Sequence, residues 1–152
     1  MVVNCSCSIV ISYTDFMSKV ITILIADDNS FMRESLRFLI ARVENFKFLG
    51  EAVSGFEAIS LAKELSPDII LIDINMAPVN GFEATRKILK QNPTAKIIGL
   101  SVHKQPSYAK NIIQLGAKGY LTKSSPHKEI ILAINLVAEG KEYICEELNG
   151  LL

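Results

Sequence analysis

Short, nearly continuous apolar runs alternate along this chain with longer segments in which apolar residues recur every three or four positions. VITILIA, residues 20–26, is the first such run: β-branched and almost without a polar interruption. A strand covered on both faces reads this way, whereas a strand wet on one face alternates. From Ser30 onward, Phe31, Leu36, Leu39, Ile40 and Val43 fall at helical spacing, and Asn29 and Ser30 are both N-cap residue types. FKFLGEAVS (46–54) predicts a second strand, and GFEAISLAKEL a helix closed off near Pro67. DIILID (68–73) predicts a third buried strand, NMAPVNG (75–81) has loop chemistry, and FEATRKILKQN is helical up to Pro93. AKIIGLS (95–101) predicts a fourth strand, SYAKNIIQLG a helix with Gly116 as C-terminal cap, and KGYLT (118–122) a short fifth strand. SPHKEIILAINLVAEG predicts the last helix, with Pro126 in its first position and Gly140 past its end.

Strands alternating with helices in this way predict an α/β fold, a single (βα)5 doubly wound parallel sheet with right-handed crossovers. Its 152 residues suit one domain with one core. Residues 1–18 read as an N-terminal extension, 19–140 as the domain, and 141–152 as a C-terminal tail or the start of a linker. The hydrophobic share of 49% excludes a disordered chain, and sixteen basic against sixteen acidic residues argue against a general binder of nucleic acid or membrane surfaces. The three cysteines, Cys5, Cys7 and Cys145, form no spaced framework, which fits a reducing compartment. Cys5 and Cys7 have no second pair at zinc spacing. The apolar opening stretch lacks the basic start of a secretory signal and is too short and polar to span a bilayer, and Met17 is an alternative start. The expected location is the cytoplasm, without membrane association.

Chemistry collects at the carboxyl ends of the predicted strands, where open parallel sheets bind ligands. The first ends in Asp27 and Asp28, the third in Asp73, the fourth in Ser101, and the fifth beside Lys123. Two adjacent carboxylates after a buried strand repel each other and are costly to bury without a cation. Carboxylate oxygens suit a hard divalent ion such as Mg2+, and Lys123 supplies a point charge for an anionic oxygen. Mg2+ and Lys beside an Asp form a site for phosphoryl transfer, in which the Asp can be the nucleophile.

These residues also resemble a known family. LIADDN, IILIDINMAPVNGFEA, IIGLS and GAKGYLTKSS are similar to the receiver domain of bacterial two-component response regulators, over about residues 19–140. The resemblance implies the sheet order 2-1-3-4-5. It makes Asp73 the phosphoacceptor, with Asp28 binding Mg2+ directly, Asp27 largely through water, and the backbone carbonyl of Asn75 completing the protein ligands. It gives Ser101 and Lys123 to the phosphoryl group, and makes Ser101 and Tyr120 the switch pair, the aromatic swinging inward. Two departures stand out: Ala77 occupies the place where the family often has Pro, with Pro78 following, and Ser124 follows Lys123 where Pro is frequent. A cis bond is therefore not expected after Lys123. The tail resembles the ends of receivers in LuxR/NarL-type regulators, but the residues after Gly140 are too few for a three-helix DNA-binding module. The chain thus reads as a stand-alone receiver or as part of a longer transcriptional regulator.

The implied partners are a sensor histidine kinase and a second copy through the fourth-helix to fifth-helix face, with no DNA binding by this chain alone. Its action is that of a self-catalysed phosphoacceptor with slow autodephosphorylation rather than an enzyme. Asn75 and His103, each two residues past a site residue, are the expected tuners of that decay. A haloacid-dehalogenase-like phosphatase shares the Asp nucleophile and Mg2+, but needs a second Asp where Asn75 stands. A flavodoxin-like phosphate cradle is disfavoured by the acidic loop ADDNS.

Overall fold

The computed structural model describes residues 19–151. The expectations for residues 1–18, Cys5, Cys7 and Met17 among them, lie outside the described residues. In chain order the elements are β1 (Ile21–Ala26), α1 (Ser30–Ala41), β2 (Phe46–Ala52), α2 (Gly55–Leu65), β3 (Ile69–Asp73), α3 (Gly81–Gln91), β4 (Lys96–Ser101), α4 (Pro106–Gln114), β5 (Gly119–Thr122), α5 (His127–Ala138), β6 (Tyr143–Ile144) and α6 (Glu146–Asn149). All strands pair in parallel in one sheet of order β2-β1-β3-β4-β5-β6. The predicted 2-1-3-4-5 order is there, with one strand added at the edge.

The central strands are continuous apolar runs because both of their faces are covered. Every residue of β3 is buried, as are all but the first of β4. Helix starts follow from local chemistry. Asn29 caps α1 by accepting from the Met32 N–H at 3.1 Å, Ser54 caps α2 from Glu57, and Asn80 caps α3 from Glu83 at 2.9 Å. The Glu57 carboxylate reaches back to the Val53 N–H at 2.7 Å, a variant of the capping box. Gly116 and Gly140 both take positive φ just past helix ends, as their positions predicted.

One glycine fixes the site. A Cβ on Gly81 would lie 2.4 Å from the Asp73 carbonyl oxygen and 2.6 Å from the Ile74 Cα. Only a residue without a side chain lets α3 begin against the end of β3, and the Gly81 N–H then donates to the Ile74 carbonyl at 2.9 Å. The loop between them contains the cis peptide Ala77–Pro78.

Two features correct the sequence reading. The (βα)5 count missed β6, which pairs through Tyr143 with Gly119 and through Ile144 with Tyr120. It continues into α6, whose Leu148 is fully buried together with Cys145. A two-residue strand flanked by Lys141, Glu142, Glu146 and Glu147 has no run long enough to show a period. Pro126, expected in the first helical position of α5, is instead its cap, with ψ at 153°. The Ser125 hydroxyl turns away from the helix to the Thr122 hydroxyl at 3.2 Å.

Candidate functional site

Three strand ends build the site. Asp27, first after β1, and Asp73, last of β3, are buried, whereas Asp28 is exposed at the rim. Each buried Asp folds back on its own turn: Asp27 Oδ1 accepts from the Asn29 N–H at 2.9 Å, and Asp73 Oδ1 from the Asn75 N–H at 3.0 Å. These bonds use one oxygen of each carboxylate and turn the other toward the partner strand. Lys123, first after β5, reaches both: its Nζ lies 2.9 Å from Asp27 Oδ2 and 3.2 Å from Asp73 Oδ2.

The electrostatics follow from burial and this triangle. Burial pushes the Asp73 carboxyl above the ordinary carboxylate value. The Asn75 N–H pulls it back, the Asp27 charge pushes it further up, and the Lys123 ammonium opposes the rise. Burial works to lower the Lys123 pKa, but the hydrogen bond and charge of Asp27, then Asp73, overcome it and hold the ammonium above its usual range.

A divalent ion fits the donor set. Asp27, Asp28 and Asp73 each offer a carboxylate oxygen within 4.8 Å of the others, and every donor is oxygen. Asp27 Oδ2 is buried without a well-formed hydrogen bond, leaving the ammonium as its neighbour. Three carboxylates beside one ammonium keep an excess of negative charge that a divalent cation would offset.

On the far side, Ser101 ends β4. Its hydroxyl donates to Asn75 Oδ1 at 3.1 Å and accepts from the His103 N–H at 3.0 Å. Tyr120, in β5, is fully buried, and its hydroxyl donates to the His103 carbonyl at 2.6 Å. A hydrogen-bonded line thus runs from the turn after Asp73 through Ser101 and into the β4–α4 loop.

The sequence matches the family described as the response regulator receiver domain over residues 23–135. The chain belongs to that family. It is 34% identical over 128 residues to the response regulator GacA of Pseudomonas viridiflava, covering 84% of this chain and 60% of that protein. It is 38% identical over 124 residues to the transcriptional regulatory protein DegU of Brevibacillus brevis, covering 82% and 52%. Among solved structures, a LuxR-family two-component response regulator from Aurantimonas sp. SI85-9A1 superposes with a TM-score of 0.84 at 31% identity, over 87% of this chain and 94% of that one. The chain spans about 60% of the length of the GacA protein it matches. Among the described residues no helix is long and apolar enough to cross a membrane.

Within this receiver domain, Asp27, Asp28, Asp73 and Lys123 come together at one rim of the sheet. Asn75 joins them directly, its N–H bonded to the Asp73 carboxylate, whereas Ser101 is linked through the Asn75 side chain and Tyr120 through the His103 carbonyl. The Tyr120 ring, expected to swing inward, is already inside. His103 is tied in by its backbone, while its ring stacks on Tyr108 at 4.4 Å between centroids. Two groups escaped the sequence reading. Arg33 Nη1 donates to the Asp27 carbonyl at 2.9 Å. Glu147, in α6, meets Lys104 at 2.7 Å and the Thr122 hydroxyl at 3.2 Å, tying the tail to the β4–α4 loop. The Arg33 signal was present as a cation one and a half helical turns after the acidic pair; the Glu147 pairing has no local signature.

Proposed function

We propose that this receiver accepts a phosphoryl group on Asp73 from the phosphohistidine of a sensor histidine kinase and thereby changes which partner it binds. The observation that carries this reading is the single ammonium of Lys123 within 3.2 Å of two buried carboxylates at adjacent strand ends. Asp27, Asp28, Asp73 and the backbone carbonyl of Asn75 would hold Mg2+, with Asp28 the direct ligand and Asp27 acting largely through water. The ion would neutralise oxygens of the transferring group.

An Asp73 oxygen attacks phosphorus, and the P–O bond forms as the P–N bond of the donor breaks. The electron pair of that bond stays on the imidazole nitrogen, which takes up a proton. The Asn75 N–H keeps the second Asp73 oxygen oriented, and Lys123 pairs with the oxygens of the phosphoryl group. A hydroxyl has one proton to donate, so Ser101 must release Asn75 to bond the new anion. The His103 N–H, bonded to the same hydroxyl, moves with it, and Tyr120 carries the change into β5. This shifts a two-state equilibrium of the α4 face rather than creating a new state. Water later attacks phosphorus, the P–O bond to Asp73 breaks, and inorganic phosphate leaves.

By its likeness to DegU and GacA, the receiver would serve a cytoplasmic phosphorelay that controls transcription, dimerise through the α4–α5 face, and leave DNA contact to another module. A stand-alone receiver acting through protein contacts is the second reading, and the downstream reading frame decides between them. The acceptor assignment is tested with a small phosphodonor and Mg2+. Wild type should take up base-labile, acid-stable phosphate and Asp73→Asn should not; equal uptake by both would refute it.

A further inference from the structure

We propose that Arg33 is a positioning residue for the acidic pair, held in place by Glu51. The Asp27–Asp28 turn leaves the sheet just as it must present two carboxylates. The Asp27 N–H is still held by β2, donating to the Ala52 carbonyl at 3.1 Å. Its carbonyl, beyond the last β1–β3 pairing at Ala26, is taken by Arg33 Nη1 at 2.9 Å. A carbonyl left open beneath a fully buried Asp would be costly, so the guanidinium completes the turn from below.

The guanidinium is itself fixed. Arg33 lies on the inner side of α1, with its side chain 13% exposed. Glu51, near the end of β2, places Oε1 3.6 Å from Arg33 Nε and Oε2 3.3 Å from Arg37 Nε. Among the described residues Arg33 Nε has no hydrogen-bond partner, so Glu51 acts on it by charge, and the directional bond is the one to Asp27. β2 thus grips the same turn twice, through Ala52 directly and through Glu51 by way of Arg33.

Position and charge make opposite demands. A cation close to Asp27 opposes Mg2+ binding, whereas a carbonyl clamp that aims the carboxylates favours it. The geometry assigns the larger effect to the clamp, because one direct bond fixes the turn while Glu51 offsets the charge. Groups that orient ligands from behind in this way typically change metal affinity about 10–100-fold when removed.

The inference rests on the phosphoacceptor reading for its meaning, but its test is Mg2+ binding alone, measured by calorimetric titration of the folded chain. Arg33→Ala should weaken Mg2+ binding about tenfold or more. Arg33→Lys, which keeps the charge but not the planar fork, should weaken it several-fold and recover part of the loss seen with Ala. Glu51→Gln should weaken it less than Arg33→Ala. If Arg33→Ala binds Mg2+ as tightly as wild type or more tightly, the clamp is refuted. If Arg33→Ala does not fold, Arg33→Lys decides: unchanged affinity would mean that charge alone matters. Phosphate uptake by wild type is measured in parallel, so that failure of the acceptor assignment shows there and leaves the Mg2+ result to stand by itself.

Discussion

Lys123 Nζ lies closer to Asp27 Oδ2, at 2.9 Å, than to Asp73 Oδ2, at 3.2 Å. The ammonium therefore bridges two carboxylates that would otherwise repel each other in a buried site. A cation bound by the acidic pair would relieve Lys123 of Asp27 and release it to face an incoming phosphoryl group.

Lys123→Ala should lower stability without divalent ions, because Asp27 and Asp73 are then left facing each other. It should also enlarge the stabilisation gained from Mg2+, since the ion replaces the lost charge. Thermal melts with and without Mg2+ compare the two proteins, and an equal gain would contradict the bridging role. Phosphate uptake should fall by about 10²–10³-fold, the usual loss on removing a preorganised charge.

Asp73→Asn should stabilise the metal-free protein at neutral pH. Burial raises the Asp73 pKa above its ordinary value of 3.8, so the folded state holds a proton there more readily than the unfolded chain. The ionised carboxylate thus opposes folding at neutral pH, and the penalty fades as pH falls through the raised pKa toward 3.8. The advantage of the variant should be largest near pH 7 and shrink on acidification, read from urea unfolding at several pH values. A variant less stable than wild type near pH 7 would show that the Lys123 pairing outweighs burial.

His103→Ala should speed loss of the phosphoryl group several-fold. The ring is held by its stack on Tyr108, and its backbone is fixed to Ser101 and Tyr120. A ring committed to a stack serves better as a shield than as a proton acceptor. Decay is followed after the donor is removed from phosphorylated protein. Slowing by about 10²–10⁴-fold would make His103 a general base instead.

Leu148→Ala should cost about 2–5 kcal/mol, the usual range for emptying a buried leucine site. Leu148 is fully buried although it lies eight residues past Gly140. Chemical unfolding measures the loss. A cost below about 0.5 kcal/mol, typical of a surface position, would mean that α6 contributes little to the core.

The buried strands were legible because both-face burial forces short, nearly continuous apolar runs. Residues 69–73 and 96–101 carry that signature whatever surrounds them. The helix starts were legible because a cap is a local bond, as Asn29, Ser54 and Asn80 show. Asp27, Asp73 and Lys123 were found as a group because a parallel sheet gathers its strand ends at one rim, so topology stands in for coordinates. Where the chain depends on partners remote in sequence, no pattern betrays it. β6 exists because Gly119 and Tyr120 offer it an open edge, and Glu147 finds Lys104 and Thr122 only after the tail has run along that edge beside β5. Lys123 lies nearer Asp27 than Asp73 by a few tenths of an ångström, and Arg33 bonds a backbone carbonyl, a partner that no side-chain spacing marks. Residue type and spacing set which groups can meet. Packing sets their separations, because backbone placement and side-chain burial are fixed by the whole fold at once.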